Sequence, residues 1–175
     1  MTLPDADPIQ LLTLGETLKG NADDIANQIV TRWQEIARVE PWLALPSDLD
    51  FDHLPTLIRQ LAAAALCTEF DRGLCEQVAR TAAEHGEYRA AEGFHDDLIY
   101  REYHLLGRAM WERMREDHGE SAMAYLAAMR LDALTGLGTA AALYGLHRDR
   151  VTGTRSWAEV LEDLLDKWPL PSSGR

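Results

Sequence analysis

The segment TAAEHGEYRAAEGFHDDLIYREYHLL, residues 81–106, holds the residues whose types and order could do chemistry: His85, Arg89 and Glu102. Two bases and an acid brought together can pass a proton, hold an anion, ligate a metal or haem, or neutralise one another as a buried ion-pair network. Nucleophilic chemistry needs a nucleophile or a bound substrate, and the neighbourhood offers no glycine-flanked serine and no paired cysteine. Metal binding needs more ligands at helical spacing. The run Glu92-Gly93-Phe94-His95 has the Glu-x-x-His spacing of di-iron bundles, but it contains a glycine and occurs once rather than twice. A haem would require a large apolar pocket as well as one histidine. The ion-pair network, with Tyr103 as a further polar member, is the reading these residues favour, because charges survive burial only when paired. A ligand-anion pocket and a haem or other tetrapyrrole site stay as alternatives.

Such a network needs elements that bring the three side chains together. Each helical residue advances about 100°, so Leu74, Val78, Ala82 and His85 share one narrow face, with Arg89 slightly off it. Glu102 lies among Leu98, Leu105 and Ala109 and points the same way, inward. His85 stands eight residues before Gly93 and Glu102 nine after it. In an antiparallel helical hairpin turning at Gly93, equal distances from the turn mean equal height. Gly86 beside them would let a neighbouring backbone approach, and Gly93, also expected at a close-packed position, would end the first helix of the pair.

Helical periodicity continues along the rest of the chain, and strand signals are nearly absent. Residues 8–18 read as a short helix, with Asp7 as cap and Pro8 in the first turn. Asn21 is placed to cap a longer helix in which Ile25, Ile29, Trp33 and Ile36 share a face. Pro41 and Pro46 end it and open a loop whose Trp42 and Phe51 should pack back on the core. Leu54, Leu57, Ile58, Leu61 and Ala65 mark a third helix, and Asp71 or Arg72 opens the fourth. The fifth runs from about residue 96 to 117, with Gly119 as its stop. The sixth begins near Ser121 and reaches about residue 148. In it Ala124, Leu131, Gly138 and Gly145 recur every seven residues, with Gly136, Ala141 and Ala142 alongside. Each interior glycine costs about 1 kcal/mol, so close helix packing must compensate, either in the core or across a dimer.

After a linker at 151–154, SWAEVLEDLLDKW (156–168) sets Trp157, Val160, Leu161, Leu164, Leu165 and Trp168 on one stripe opposite acids. This divides the chain into a helical domain at 1–150 and a linker plus amphipathic tail helix at 151–175. Docking on its own domain, on a second copy or on a partner would each cover that stripe.

Composition narrows the function. The chain has 175 residues, 46% hydrophobic and 26% charged, enough for one domain with a substantial core. Its 29 acids against 17 bases give a net charge of −12, which disfavours nucleic acid and anionic membranes. The start MTLPDADPIQ lacks the pattern of a signal peptide, and no apolar run approaches the roughly 20 residues of a membrane span. Cys67 and Cys75 match neither a redox pair nor a zinc knuckle and read as reduced cytoplasmic thiols. Among the other histidines, His53, His118 and His147 fall near helix ends, and His104 lies about 200° round from Glu102, toward solvent or a second interface.

HGEYRAAEGFHDDLIYREYHLLGRAM (85–110) resembles the signature of RsbR-type (RsbRD) co-antagonist N-terminal domains, which stand at the front of stressosome proteins and many bacterial histidine kinases. The matching positions are His85, Gly86, Arg89, Gly93, Leu98, Glu102, Tyr103, Leu105 and Leu106. Arg32-Trp33 and HLPTLIRQL (53–61) fit more loosely, and the resemblance covers residues 22 to 145. It implies an all-α, globin-like fold without haem, often dimeric, serving as a signal-input or protein-interaction module. The sequence departs from the pattern beyond residue 150, where the amphipathic tail stands in place of a kinase, STAS or DNA-binding module. Such a chain acts in trans or through a ligand, or its tail begins a connector.

The sequence therefore leads to an all-α domain of six to seven helices, globin-like or bundle-like, cytoplasmic and non-catalytic, with no cofactor. The expected partners are a second copy and a regulatory protein such as a kinase or response regulator. The alternative function is a small-molecule or tetrapyrrole sensor with a pocket between the fourth, fifth and sixth helices.

Overall fold

The structure is a computed structural model that describes residues 7–41, 51, 53–68, 71–153 and 155–168. Among these are eight helices and no strand: α1 (Pro8–Gly20), α2 (Ala22–Val39), α3 (Leu54–Ala65), α4 (Arg72–Ala91), α5 (Asp96–His118), α6 (Ala122–Leu146), α7 (Arg148–Thr152) and α8 (Trp157–Lys167). The fold is all-α. It has one helix more than expected because the helix breaks at His147 and a five-residue α7 then runs into the supposed linker, where Gly153 ends it at φ +52°.

The helix ends follow the capping chemistry of the sequence. Asp7, Asp71 and Ser121 each accept hydrogen bonds from backbone N–H groups in the first turn of α1, α4 and α6. Ser156 and Glu159 form a reciprocal capping box on α8. Asn21 is an exception. It stands at the start of α2 but makes no side-chain cap there. Its amide instead donates to the Thr17 carbonyl at 2.8 Å, and its oxygen accepts from Arg113, so it closes α1 and ties it to α5.

Helix α6 is the hub. Only Arg130 and Asp132 along it are charged, the pattern of a helix surrounded by others. It packs most extensively on α4, then on α5, and also touches α1, α3, α7 and α8. The crossing with α4 is backbone on backbone. A Cβ placed at Gly86 would lie 1.9 Å from the Ala142 carbonyl oxygen, and one at Gly145 would lie 1.9 Å from that of Ala83. At Gly138 a Cβ would stand 2.8 Å from the Tyr103 ring. These glycines of the heptad seam are thus used inside one chain. Gly93 differs from the expectation of close packing: among the described residues nothing lies within 4 Å of its missing Cβ, and its φ of +82° is what requires glycine. The α4–α5 turn there is a Schellman motif, with Phe94 N–H donating to the Arg89 carbonyl and Gly93 N–H to that of Ala90.

The expected α4–α5 hairpin is also revised. Beyond the turn the two helices make little direct backbone contact, because each is drawn onto α6 and α5 packs further on α2. What spans the space between α4 and α5 is a set of long polar side chains. Phe51 packs on the core as expected, whereas Trp42 lies outside the described residues. The tail helix α8 lies on α4 and α6 of its own chain and buries Val160, Leu161, Leu164 and Leu165.

Candidate functional site

Leu74, Val78 and Ala82 keep one face of α4 inside, and the same face carries His85 and Arg89 inward at 4% and 0% exposure. Glu102, also 0% exposed, enters from α5. Its Oε2 lies 2.8 Å from His85 Nε2 and accepts from Arg89 Nε at 3.3 Å, while Oε1 accepts from Arg89 Nη2 at 2.7 Å. The two-pronged Arg–carboxylate contact is the geometry in which a guanidinium binds most specifically. Arg89 also donates from Nη1 to Glu92 Oε2 at 2.5 Å, one turn on along α4. Its guanidinium stacks between Phe51 and Phe94, with ring centroids at 5.2 and 4.9 Å, a cation–π arrangement in a dry site. Phe94 in turn meets Trp33 edge to face at 6.0 Å.

The charges support one another. Burial alone would push the Glu102 carboxyl up, but His85 and Arg89 outweigh it and hold the group below its ordinary range. Burial likewise works against the charge on Arg89, yet the Glu102 and Glu92 carboxylates raise its pKa further. Both groups therefore stay ionised. Arg89 and His85 are turned to the two oxygens of Glu102, an arrangement suited to holding two helices at a fixed separation.

Tyr103 is next to Glu102 in sequence but takes no part in these bonds. Its ring lies 6.2 Å from that of His85 and rests on Gly138. Burial first, and then the Glu102 charge, push its phenol well above the ordinary value, so it is protonated. Its hydroxyl has no hydrogen-bond partner among the described residues, and the same holds for Thr135 Oγ1 on α6 and for His85 Nδ1. A buried polar group left unpaired costs about 1–3 kcal/mol.

The structure brings His85, Arg89 and Glu102 together at one level. Sequence reasoning missed Glu92 as a partner of Arg89, although the i,i+3 spacing was available as a signal. It also missed the aromatic sandwich, for which a sequence gives no sign, because Phe51 precedes Arg89 by 38 residues. His53, at the start of α3 without a side-chain cap bond, faces Tyr88 at 4.8 Å and lies edge to face 6.4 Å from the His85 ring. The others stand apart: His118 meets Thr17 at 2.9 Å, His147 meets Asp96 at 2.6 Å, and His104 is exposed. Among the described residues no three potential ligands gather as a metal site would need. Cys67 and Cys75 are both free, and burial pushes the Cys75 thiol up to about 11.

A family model described as the RsbT co-antagonist protein rsbRD N-terminal domain matches residues 20–163. The chain belongs to this family. The match takes in the whole His85–Arg89–Glu102 cluster and runs past residue 150 into α8. Membership places the chain among stressosome-type signalling domains of the RsbRD N-terminal class. No curated protein and no solved structure matches the chain. Among the described residues no helix is long and apolar enough to cross a membrane.

Proposed function

We propose that the chain is a non-catalytic, cytoplasmic signal-input and protein-interaction domain that acts as a homodimer on a regulatory partner such as a kinase or response regulator. The observation that carries this reading is the family match over residues 20–163, whose description names RsbT as the protein its members co-antagonise. The buried cluster supports it from the chemical side. The Glu102 carboxylate is engaged by His85 and Arg89, an arrangement suited to fixing a fold rather than to turning over a substrate. A contact surface is available on α5 and α6, where Tyr100, Tyr125 and Met129 are 57, 56 and 56% exposed. We further read His85, Arg89 and Glu102 as a structural polar network with Tyr103 packed beside it, and residues 1–150 as the interaction body with 151–175 as its tail.

Two measurements test the reading. Light scattering of the purified chain should give twice the monomer mass. Calorimetric titration with an RsbT-type partner should show saturable binding that weakens on Tyr125→Glu or Met129→Glu. A monomer that binds no such partner would remove the reading.

A further inference from the structure

Between α5 and α6 runs a groove of about 590 Å³, closed at one end by Trp168. The indole of Trp168 is held there by its N–H donating to the Ala133 carbonyl at 3.0 Å, with its ring edge over Gly136. Tyr100 and Tyr103 supply a second aromatic side, and Gly136, Thr139 and Ala140 make a floor of small residues. Such walls suit a flat ring. Tyr103 and Thr135, at 1% and 8% exposure, line the same groove, and the buried hydroxyl of each has no partner among the described residues. Among the described residues the charged side chain on the lining is Asp132, and His104 stands beside it. Among the described residues no Lys or Arg faces the groove to hold a carboxylate or phosphate, and a chain of net charge −12 repels anions in general.

We propose that this groove is a binding site for an uncharged, flat ring compound that carries one hydroxyl or carbonyl group. The ring lies against Trp168 and the tyrosines over Thr139 and Ala140. The oxygen pairs with the Tyr103 and Thr135 hydroxyls, each of which can donate or accept. A site built to pair a ligand oxygen discriminates strongly against the analogue that lacks it, because the protein hydroxyls then stay unpaired. The proposal deepens the signal-input reading, since the ligand touches Trp168 at the end of the tail helix. Its test is direct binding, so its failure leaves the partner titration to decide that reading separately.

The test uses three probes on the full chain: 2-naphthol, naphthalene and 2-naphthoate, each followed by calorimetry and by the indole N–H resonance of Trp168. The expected result is that 2-naphthol binds at least about tenfold tighter than either other probe and shifts the Trp168 resonance. Tyr103→Phe and Thr135→Val should each weaken 2-naphthol several-fold without lowering the melting temperature, because the hydroxyls they remove bond to nothing among the described residues. Ala140→Trp should fill the floor and abolish binding. Equal binding of 2-naphthol and naphthalene, tighter binding of 2-naphthoate, or affinity unchanged by both hydroxyl variants would each overturn the proposal. So would resonance shifts confined to Trp157, which lines a separate groove between α4 and α8.

Discussion

Glu102 is where one atom's change should be felt most. Converting it to glutamine takes the two-pronged carboxylate from the Arg89 guanidinium, fully buried between two phenylalanine rings, and leaves it the contact with Glu92. Breaking a buried pair in this way costs about 3–5 kcal/mol, so Glu102→Gln should lower the melting temperature markedly. Adding Arg89→Met removes the stranded charge and should recover part of the loss. A double-mutant cycle without coupling would refute the network. The same carboxyl predicts a pH dependence. Its folded pKa lies below its ordinary value of 4.5. The stability it contributes is therefore complete above that value and is lost as pH falls through the lower, folded one. Thermal melts from neutral to acid pH should show the gap between wild type and Glu102→Gln closing below about 4.5; a constant gap would assign the stabilisation elsewhere. The inward direction of His85, Arg89 and Glu102 was legible because helical period and distance from Gly93 are local facts. Their aromatic enclosure was not, because Phe51 reaches the site from a distant part of the chain.

Among the helices, the α4–α6 crossing should be the most sensitive contact. Gly86 and Gly145 each face a backbone carbonyl of the other helix at 1.9 Å from a would-be Cβ, and backbone cannot move aside as a flexible side chain can. Gly145→Ala or Gly86→Ala should therefore force the helices apart at about 1–3 kcal/mol or more. Gly20→Ala is the control: nothing lies within 4 Å there, and alanine should be neutral or stabilise by up to about 1 kcal/mol. Gly93→Ala falls between, its φ of +82° straining any side chain by about 1–2 kcal/mol. Chemical denaturation of the four variants checks the order. The heptad spacing in α6 announced close packing but not its partner, since small residues at that period serve a core and a dimer equally. The α4–α5 hairpin failed for a related reason. Sequence distance from a turn sets the height of two residues, whereas the neighbour a helix packs on is set by which surface lets it approach most closely, and here the glycines give that surface to α6.

For the molecule as a whole, the open question of the sequence was what covers the tail. The stripe on α8 meets α4 and α6 of its own chain, where Val160, Leu161, Leu164 and Leu165 are buried at about 1.5–3 kcal/mol each. Polar ties hold it in place: Arg72 donates to Asp166 at 2.7 Å, the Arg148 guanidinium lies 5.3 Å from the Trp157 ring, and Trp168 bonds the Ala133 carbonyl. An eleven-residue helix is marginal in isolation, so its order depends on this docking. A chain truncated after Gly153 should expose the apolar faces of α4 and α6 that α8 covers, melt at a lower temperature and self-associate. In the intact protein Trp157 and Trp168 should emit as partly shielded indoles, and Trp168→Ala should shift that emission while loosening the end of α8. High salt should not detach the helix, because its exposed ion pairs contribute little beside the buried aliphatic side chains. A truncated chain with unchanged melting temperature and mass would mean that α8 is held too weakly to count as part of the folded unit, although the family match extends to residue 163.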